Sequence, residues 1–409
     1  MNLKLSASNL KSGALKITGS KSESNRLLIL QALYPDLRID NLSNSDDTDV
    51  LQTALASDES VLDIHHAGTS MRFLTTYLAL KPGFEGVLTG SERMQQRPIG
   101  VLVDALRQLG AEISYEKEQG YPPLRISGVK PTGNRVRIAA NISSQYLSSL
   151  LLTGSSLDSG LILELEGKLT SVPYLQMTLT LLEALGAETR LTDAEVYVGP
   201  ITALKTKDFT VESDWSSASY FYSLMALGQA DSIKLSSYKP DSLQGDSGLV
   251  NLFEPLGVQS AFNADEVSLT LTKSAVDLPQ IYSADLADTP DLAQTIAVCC
   301  FGLGIGCELS GLHTLKIKET DRLQALKNEL EKFGAQVNIT DDHLSLAPSQ
   351  GIKSGVSVAT YQDHRMAMAF APLALKTDLV IEEAGVVSKS YPEFWEDLKT
   401  LGFQIENQR

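Results

Sequence analysis

Cysteine is scarce in this 409-residue chain: there are three, Cys299, Cys300 and Cys307, all within the apolar run IAVCCFGLGIGC. So few thiols, so close together, speak against a disulfide scaffold or a metal centre, and they are expected to be reduced and buried. Long apolar runs are also missing. No segment reaches the ~18 uninterrupted apolar residues that a membrane span requires, and Met1 to Leu10 lacks the basic and apolar regions of a signal peptide. The expectation is a cytoplasmic protein with no membrane partner. Basic residues are outnumbered, 34 Lys and Arg against 50 Asp and Glu, for a net charge of -16. That balance argues against a nucleic-acid partner, because binding of a phosphate backbone is dominated by basic surface. If the ligand is anionic, its cationic contacts must be local.

What is present is ordinary globular material: 43% apolar and 21% charged residues, enough for a sizeable core. At this length two domains of about 200 residues each are expected. A helix end recurs five times, an apolar pattern closing on Leu or Phe followed by glycine: ALRQLGAEI, LLEALGAET, LFEPLGVQS, ELEKFGAQV and DLKTLGFQI. Glycine there fits a left-handed C-cap. Gly110, Gly186, Gly257, Gly334 and Gly402 stand 76, 71, 77 and 68 residues apart, and short strand candidates such as LRISG, VYVGP, VSLTLT and LSLAP follow most of them. A period of roughly 70 residues implies a repeated mixed α/β unit, and one shorter unit at the start brings the number to about six.

A second feature keeps the same rhythm. Helix starts rich in small hydroxylated or acidic residues lead at once into apolar periodicity, in GSKSESNRLLIL, HAGTSMRFLTTYL, NISSQYLSSLLL, ESDWSSASYFYSL, TPDLAQTIAV, KETDRLQAL and YQDHRMAMAF. Helix N-termini offer free N–H groups and a positive dipole end, which suits anions. Each start could equally be only a cap. Several, however, add a cation in the first turn, where it opposes the dipole and needs another reason to be there.

Lys21 and Arg26 flank Ser20, Ser22 and Ser24 in GSKSESNR, a grouping able to hold an anion, though the glycine spacing of a nucleotide-binding P-loop is absent. Gly68 allows close backbone approach and Arg72 projects from the first turn of the next helix. Arg97 precedes Pro98, which favours an extended, defined loop. In KETDRL the spacing predicts that Lys318 and Arg322 share a helix face and that Glu319 reaches Arg322, a pattern a solvated salt-bridged face would explain as well. Asp363, His364 and Arg365 stand at the edge of the apolar MAMAF, and Asp291 at a helix start after Pro290. Lys389 in SKSYP is uninformative by itself.

Taken together, GSKSESNR, AGTSMR, RPIG, SSQYL, SDWSSASYF, QGD at Gln244 to Asp246, PDLAQT, KETDRL, DHRMAM and SKSYP resemble, in order and spacing, the 5-enolpyruvylshikimate-3-phosphate (EPSP) synthases, over essentially the whole chain. The resemblance implies an α/β fold of two similar domains, each an inside-out α/β barrel of three repeated units, six in all, closing on the substrates at their interface. The N-terminal domain would span residues 20–212 and the C-terminal domain residues 1–19 and 213–409, with chain crossings near Thr18 to Ser20 and Val211 to Asp214. It also implies a monomer with no metal and no organic cofactor.

Carried over residue by residue, the resemblance assigns shikimate 3-phosphate to Lys21, Ser22, Arg26, Ser143, Ser144, Gln145, Ser171, Tyr174, Asp291 and Lys318. It assigns phosphoenolpyruvate to Lys21, Gly68, Arg72, Arg97, Gln145, Arg322, Arg365 and Lys389. An alcohol adds to C2 of an enol ether once C3 is protonated, after which phosphate leaves, so an acid and a base are needed. By resemblance Glu319 would move the proton at C3, Asp291 would accept that of the sugar hydroxyl, Lys21 would assist, and His364 would orient Glu319 or the phosphate.

Three positions depart from the family pattern: His66 and Thr314 replace common asparagines and Phe73 a common proline. With Gly68 retained, glyphosate, the family's inhibitor competitive with phosphoenolpyruvate, is expected to bind, its affinity altered by His66 and Phe73. A sister transferase acting on a UDP-amino sugar typically uses a reactive loop cysteine, which the apolar setting of the cysteines here disfavours. An RNA-end-processing relative is disfavoured by the net charge, and a non-catalytic anion binder by retention of both Asp291 and Glu319.

Overall fold

The computed structural model describes residues 1–6, 9–139, 143–167, 169 and 172–408. The chain divides into two compact units, one of Gly19–Val211 and one of Met1–Thr18 with Glu212–Arg409, each boundary one residue before the one set out above.

Among the described residues the strands form six sheets, three in each unit. Five repeat one pattern. In the first, Val61–Asp63 lies parallel to Glu85–Thr89, which pairs antiparallel with Leu124–Ser127, which pairs antiparallel with Glu112–Tyr115. The chain thus runs strand, helix, strand, helix, strand, strand, with the helices Gly68–Ala79 and Gly100–Gln108 as crossovers. Parallel pairing needs such crossovers, whereas the closing antiparallel pair needs only a short connection. The same order recurs in Arg135–Val198, in Ile281–Leu346, and twice with distant partners. Gly13–Leu15 supplies the first strand beside Ser232–Ser236, and Asn2–Ser6 fills the third place between Leu379–Ile381 and Gln404–Gln408. The sixth sheet is only Arg38–Asp40 parallel to Asp208–Thr210, the shorter unit expected near the start.

The two helices of each repeat differ. Beyond the polar residues of its first turns, the first is mostly apolar or small and is largely buried. Every residue of Trp215–Leu227 and of His364–Phe370 is buried, as are residues 293–301 of Ala293–Leu303. Within one unit Lys21–Leu33, Gly68–Ala79 and Ser144–Gly154 pack on one another, and within the other Ala293–Leu303 packs on both Trp215–Leu227 and His364–Phe370. Cys299 and Cys300 lie in Ala293–Leu303 and Cys307 on the following strand Gly306–Ser310, all three free and buried as expected. The second helix of each repeat carries the glycine end. Gly110, Gly186, Gly257, Gly334 and Gly402 all have positive φ, between 83° and 116°, the conformation that a side chain would oppose.

Candidate active site

In the unit Gly19–Val211 most of the expected residues that are described lie at or near the starts of helices, with Arg97 between Glu92–Gln95 and Gly100–Gln108. Ser20 caps Lys21–Leu33 by accepting from the Glu23 amide at 3.5 Å, and Lys21 Nζ stands 3.3 Å from Asp47 Oδ2. Arg26 is buried, and its guanidinium donates to Thr178 Oγ1 and the Ser22 carbonyl, both at 2.7 Å, and to Ser148 Oγ and the Tyr174 carbonyl, both at 3.1 Å. It thereby ties together Lys21–Leu33, Ser144–Gly154 and Val172–Leu185, and burial lowers its pKa to about 10. Phe73 lies beneath it, the ring centroid 5.6 Å from Cζ, a cation–π contact that gives this departure a structural role.

Arg97 reaches over Gly68, where a side-chain carbon would come within 2.5 Å of Nη1. Its backbone amide donates to the Met94 carbonyl at 3.0 Å, so the loop before Pro98 is a defined one. Arg72, buried, donates to the carbonyls of Gly68 at 3.1 Å and Pro98 at 3.3 Å. Ser143 caps the helix Ser144–Gly154 by accepting from the Gln145 amide at 3.3 Å, and the Gln145 side chain donates to Thr69 Oγ1 at 3.1 Å. Ser144 is buried and Tyr174 half-buried. Ser171 lies outside the described residues. His66 Nε2 is 3.9 Å from Asp46 Oδ2.

In the other unit the centre is Arg322, 2% exposed. Its Nε donates to Asp363 Oδ2 at 2.6 Å, Nη1 to Asp291 Oδ1 at 2.8 Å and Nη2 to Glu319 Oε2 at 2.7 Å. Burial works against that charge, but Asp363, Glu319 and Asp291 hold its pKa above the ordinary value. Asp291, on the 3-10 turn Pro290–Leu292, also accepts from Arg365 Nη2 at 2.8 Å and lies 3.6 Å from Lys318 Nζ. Burial alone would raise the Asp291 pKa; Arg365, Lys318 and Arg322 together hold it well below the usual carboxylate range. His364 is buried with Nδ1 3.8 Å from Asp363 Oδ1, and Lys389 Nζ donates to the Gln362 carbonyl at 2.7 Å.

One local expectation is corrected. Lys318 and Arg322 do not share a helix face. The helix begins at Arg322 with Asp321 as its cap, accepting from the Gln324 amide at 3.1 Å. Lys318 instead closes the 3-10 turn His313–Ile317 that contains Thr314. Asp321 can cap only from outside the helix, so Lys318 and Glu319 approach the cluster from the preceding loop. Glu319 still reaches Arg322.

Reading by motif missed a further carboxylate. Asp246, buried, accepts from Ser216 Oγ, and Ser216 Oγ in turn accepts from Arg365 Nη2 at 3.2 Å. Burial first, then repulsion from Asp291, push its pKa up to about 6. The available signal was its place in QGD. Asp363 was legible only as a polar residue at a core edge, yet it holds both Arg322 and, through its side chain, the Arg365 amide at 2.9 Å. Rigid cations joined to carboxylates that can give and take protons form a site for anions and for acid–base chemistry.

The fold is that of the enolpyruvyl transferases. It superposes on an EPSP synthase from Acinetobacter baumannii with a TM-score of 0.78 at 20% identity, covering 99% of this chain and 100% of that one. The enolpyruvyl transferase NikO from Streptomyces tendae follows at 0.73 and 15% identity, covering 100% and 98%. The family model for EPSP synthase (3-phosphoshikimate 1-carboxyvinyltransferase) matches residues 50–398. The 3-phosphoshikimate 1-carboxyvinyltransferase of Bacteroides fragilis strain YCH46 is 44% identical, covering 99% of both chains. That of Sulfurovum sp. strain NBC37-1 is 36% identical, covering 95% of this chain and 96% of the relative. The chain belongs to the EPSP synthase family. It is a transferase of the shikimate pathway, moving the enolpyruvyl group of phosphoenolpyruvate to shikimate 3-phosphate in aromatic amino-acid biosynthesis.

Proposed function

We propose that the transfer is made to the 5-hydroxyl of shikimate 3-phosphate through a tetrahedral addition–elimination intermediate. Lys21, Ser22, Arg26, Ser143, Ser144, Gln145, Ser171, Tyr174, Asp291 and Lys318 bind the sugar phosphate. Lys21, Gly68, Arg72, Arg97, Gln145, Arg322, Arg365 and Lys389 bind phosphoenolpyruvate. Glu319 protonates C3 and later removes that proton, Asp291 accepts the proton of the 5-hydroxyl, Lys21 assists, and His364 orients Glu319 or the phosphate. Residues 20–212 form one domain and the remainder the other.

The observation that carries this reading is that Asp291 and Glu319 bond the same guanidinium, Arg322, at 2.8 and 2.7 Å. An arriving anion competes for that cation. Asp291, held ionised and weakly basic by its neighbours, becomes a stronger base as the bound anion offsets their charge. Cations aimed at a departing phosphate meanwhile stabilise the developing charge.

The net charge of -16 supports a protein without a nucleic-acid partner. Among the described residues no helix is long and apolar enough to cross a membrane. Our reading is a cytoplasmic monomer with no membrane partner.

The test is phosphate release by purified protein given both substrates after metal chelation, with controls lacking either substrate and with a UDP-amino sugar as acceptor. Release that needs shikimate 3-phosphate and phosphoenolpyruvate together is expected. Release only with the UDP-sugar, or none, overturns it.

A further inference from the structure

Glu329 is completely buried, at 0% exposure, and the chemistry above makes no use of it. Burying a carboxylate is costly unless its oxygens are occupied. Here Oε1 accepts from the Tyr361 hydroxyl at 2.8 Å, while Oε2 accepts from the Ala359 amide at 3.0 Å and from Lys332 Nζ at 2.6 Å. Pairing with Lys332 does not account for the burial. That ammonium belongs to a side chain 43% exposed and has a second acceptor in the Ser357 carbonyl at 3.1 Å. The two remaining bonds both go to residues 359–361.

Those residues lead into the site by an unusual path. Tyr361 and Gln362 have φ of 53° and 55°, consecutive left-handed residues with side chains, a conformation that persists only where the surroundings impose it. Asp363 follows at once, capping the helix that carries His364 and Arg365. The helix Arg322–Lys332 grips this segment at both ends, Arg322 holding Asp363 at 2.6 Å and Glu329, two turns on, holding Ala359 and Tyr361. Lys389 is anchored to the same segment through the Gln362 carbonyl.

We propose that Glu329 is a positioning residue for phosphoenolpyruvate. By holding Ala359 and Tyr361 it fixes the left-handed pair Tyr361 and Gln362, and so sets where the Arg365 guanidinium and the Lys389 ammonium stand, without touching substrate. The inference rests on the assignment of Arg365 and Lys389 to phosphoenolpyruvate made above.

The test is steady-state kinetics of Glu329→Gln with each substrate varied in turn, alongside Tyr361→Phe and Arg365→Ala. The amide has one oxygen for three donors, so at least one tether to the segment weakens. Glu329→Gln is expected to raise KM for phosphoenolpyruvate about tenfold, with KM for shikimate 3-phosphate and kcat within about twofold of wild type. Tyr361→Phe, which removes one hydroxyl and keeps the ring, should shift the same constant in the same direction by about threefold, and decides the matter if Glu329→Gln does not fold. A KM for phosphoenolpyruvate unchanged in both variants, or both KM values rising together with a lower melting temperature, overturns the proposal and leaves Glu329 a purely structural group. Arg365→Ala raising that KM while the other two do not overturns the positioning role alone; Arg365→Ala leaving it unchanged overturns the assignment as well.

Discussion

The Arg97 guanidinium lies against the α-carbon of Gly68, with Nη1 2.5 Å from where a β-carbon would stand. Gly68 itself begins a helix and does not have positive φ, so it is the space for Arg97, rather than backbone conformation, that requires glycine. Gly68→Ala should fold normally and raise KM for phosphoenolpyruvate by about tenfold, because Arg97 must move aside. Glyphosate inhibition, expected to compete with phosphoenolpyruvate in the wild type, should weaken in the variant. Unchanged values of both constants would show that Arg97 plays no part in binding.

Glu319→Gln keeps the shape of the side chain beside Arg322 but removes its proton chemistry. Loss of a positioned general acid costs roughly 10²–10⁴-fold in rate. A fall of that size in kcat is expected, with binding of shikimate 3-phosphate, followed by calorimetry, largely retained. Near-normal turnover would place the proton transfer elsewhere.

Arg322→Lys should be destabilising as well as inactivating. One ammonium cannot reproduce three directed bonds to Asp363, Asp291 and Glu319, so buried carboxylates lose their partner. Breaking a buried pair costs roughly 3–5 kcal/mol, and denaturant unfolding of the purified variant measures it. A loss below about 1 kcal/mol would mean that the lysine or water satisfies the cluster.

Asp246 offers a test by pH. Its pKa is raised from 3.8 to about 6, chiefly by burial and then by Asp291. An acid with a higher pKa folded than unfolded favours the folded state below its unfolded value, and that advantage is lost as pH rises through its folded value. Asp246→Asn, neutral at every pH, should therefore gain on wild type by roughly 2–3 kcal/mol between about pH 4 and pH 7. Thermal unfolding of both proteins across that range checks it; parallel curves would mean that Asp246 ionises normally.

The glycine helix ends were readable because each depends on one residue and the turn next to it, and all five have the expected positive φ. The starts of the buried helices were readable for the same reason, as were the buried cysteines in their apolar run. Lys318 was misread because spacing alone does not show where a helix begins; the cap at Asp321 does. Asp246 and Glu329 were passed over because an acid in sequence looks alike whether water or protein surrounds it.

By itself the sequence determined the repeat, the helix ends, the family and the anion-binding character of the helix starts, since these reside in local residue order and in motifs. Only the tertiary structure decided which strands pair, so that Asn2–Ser6 joins Leu379–Ile381 and Gln404–Gln408, and that Asp291 and Asp363 join Glu319 on Arg322. Those partners lie up to hundreds of residues apart, and backbone hydrogen bonds and buried charges are satisfied by proximity in space, which no local pattern records.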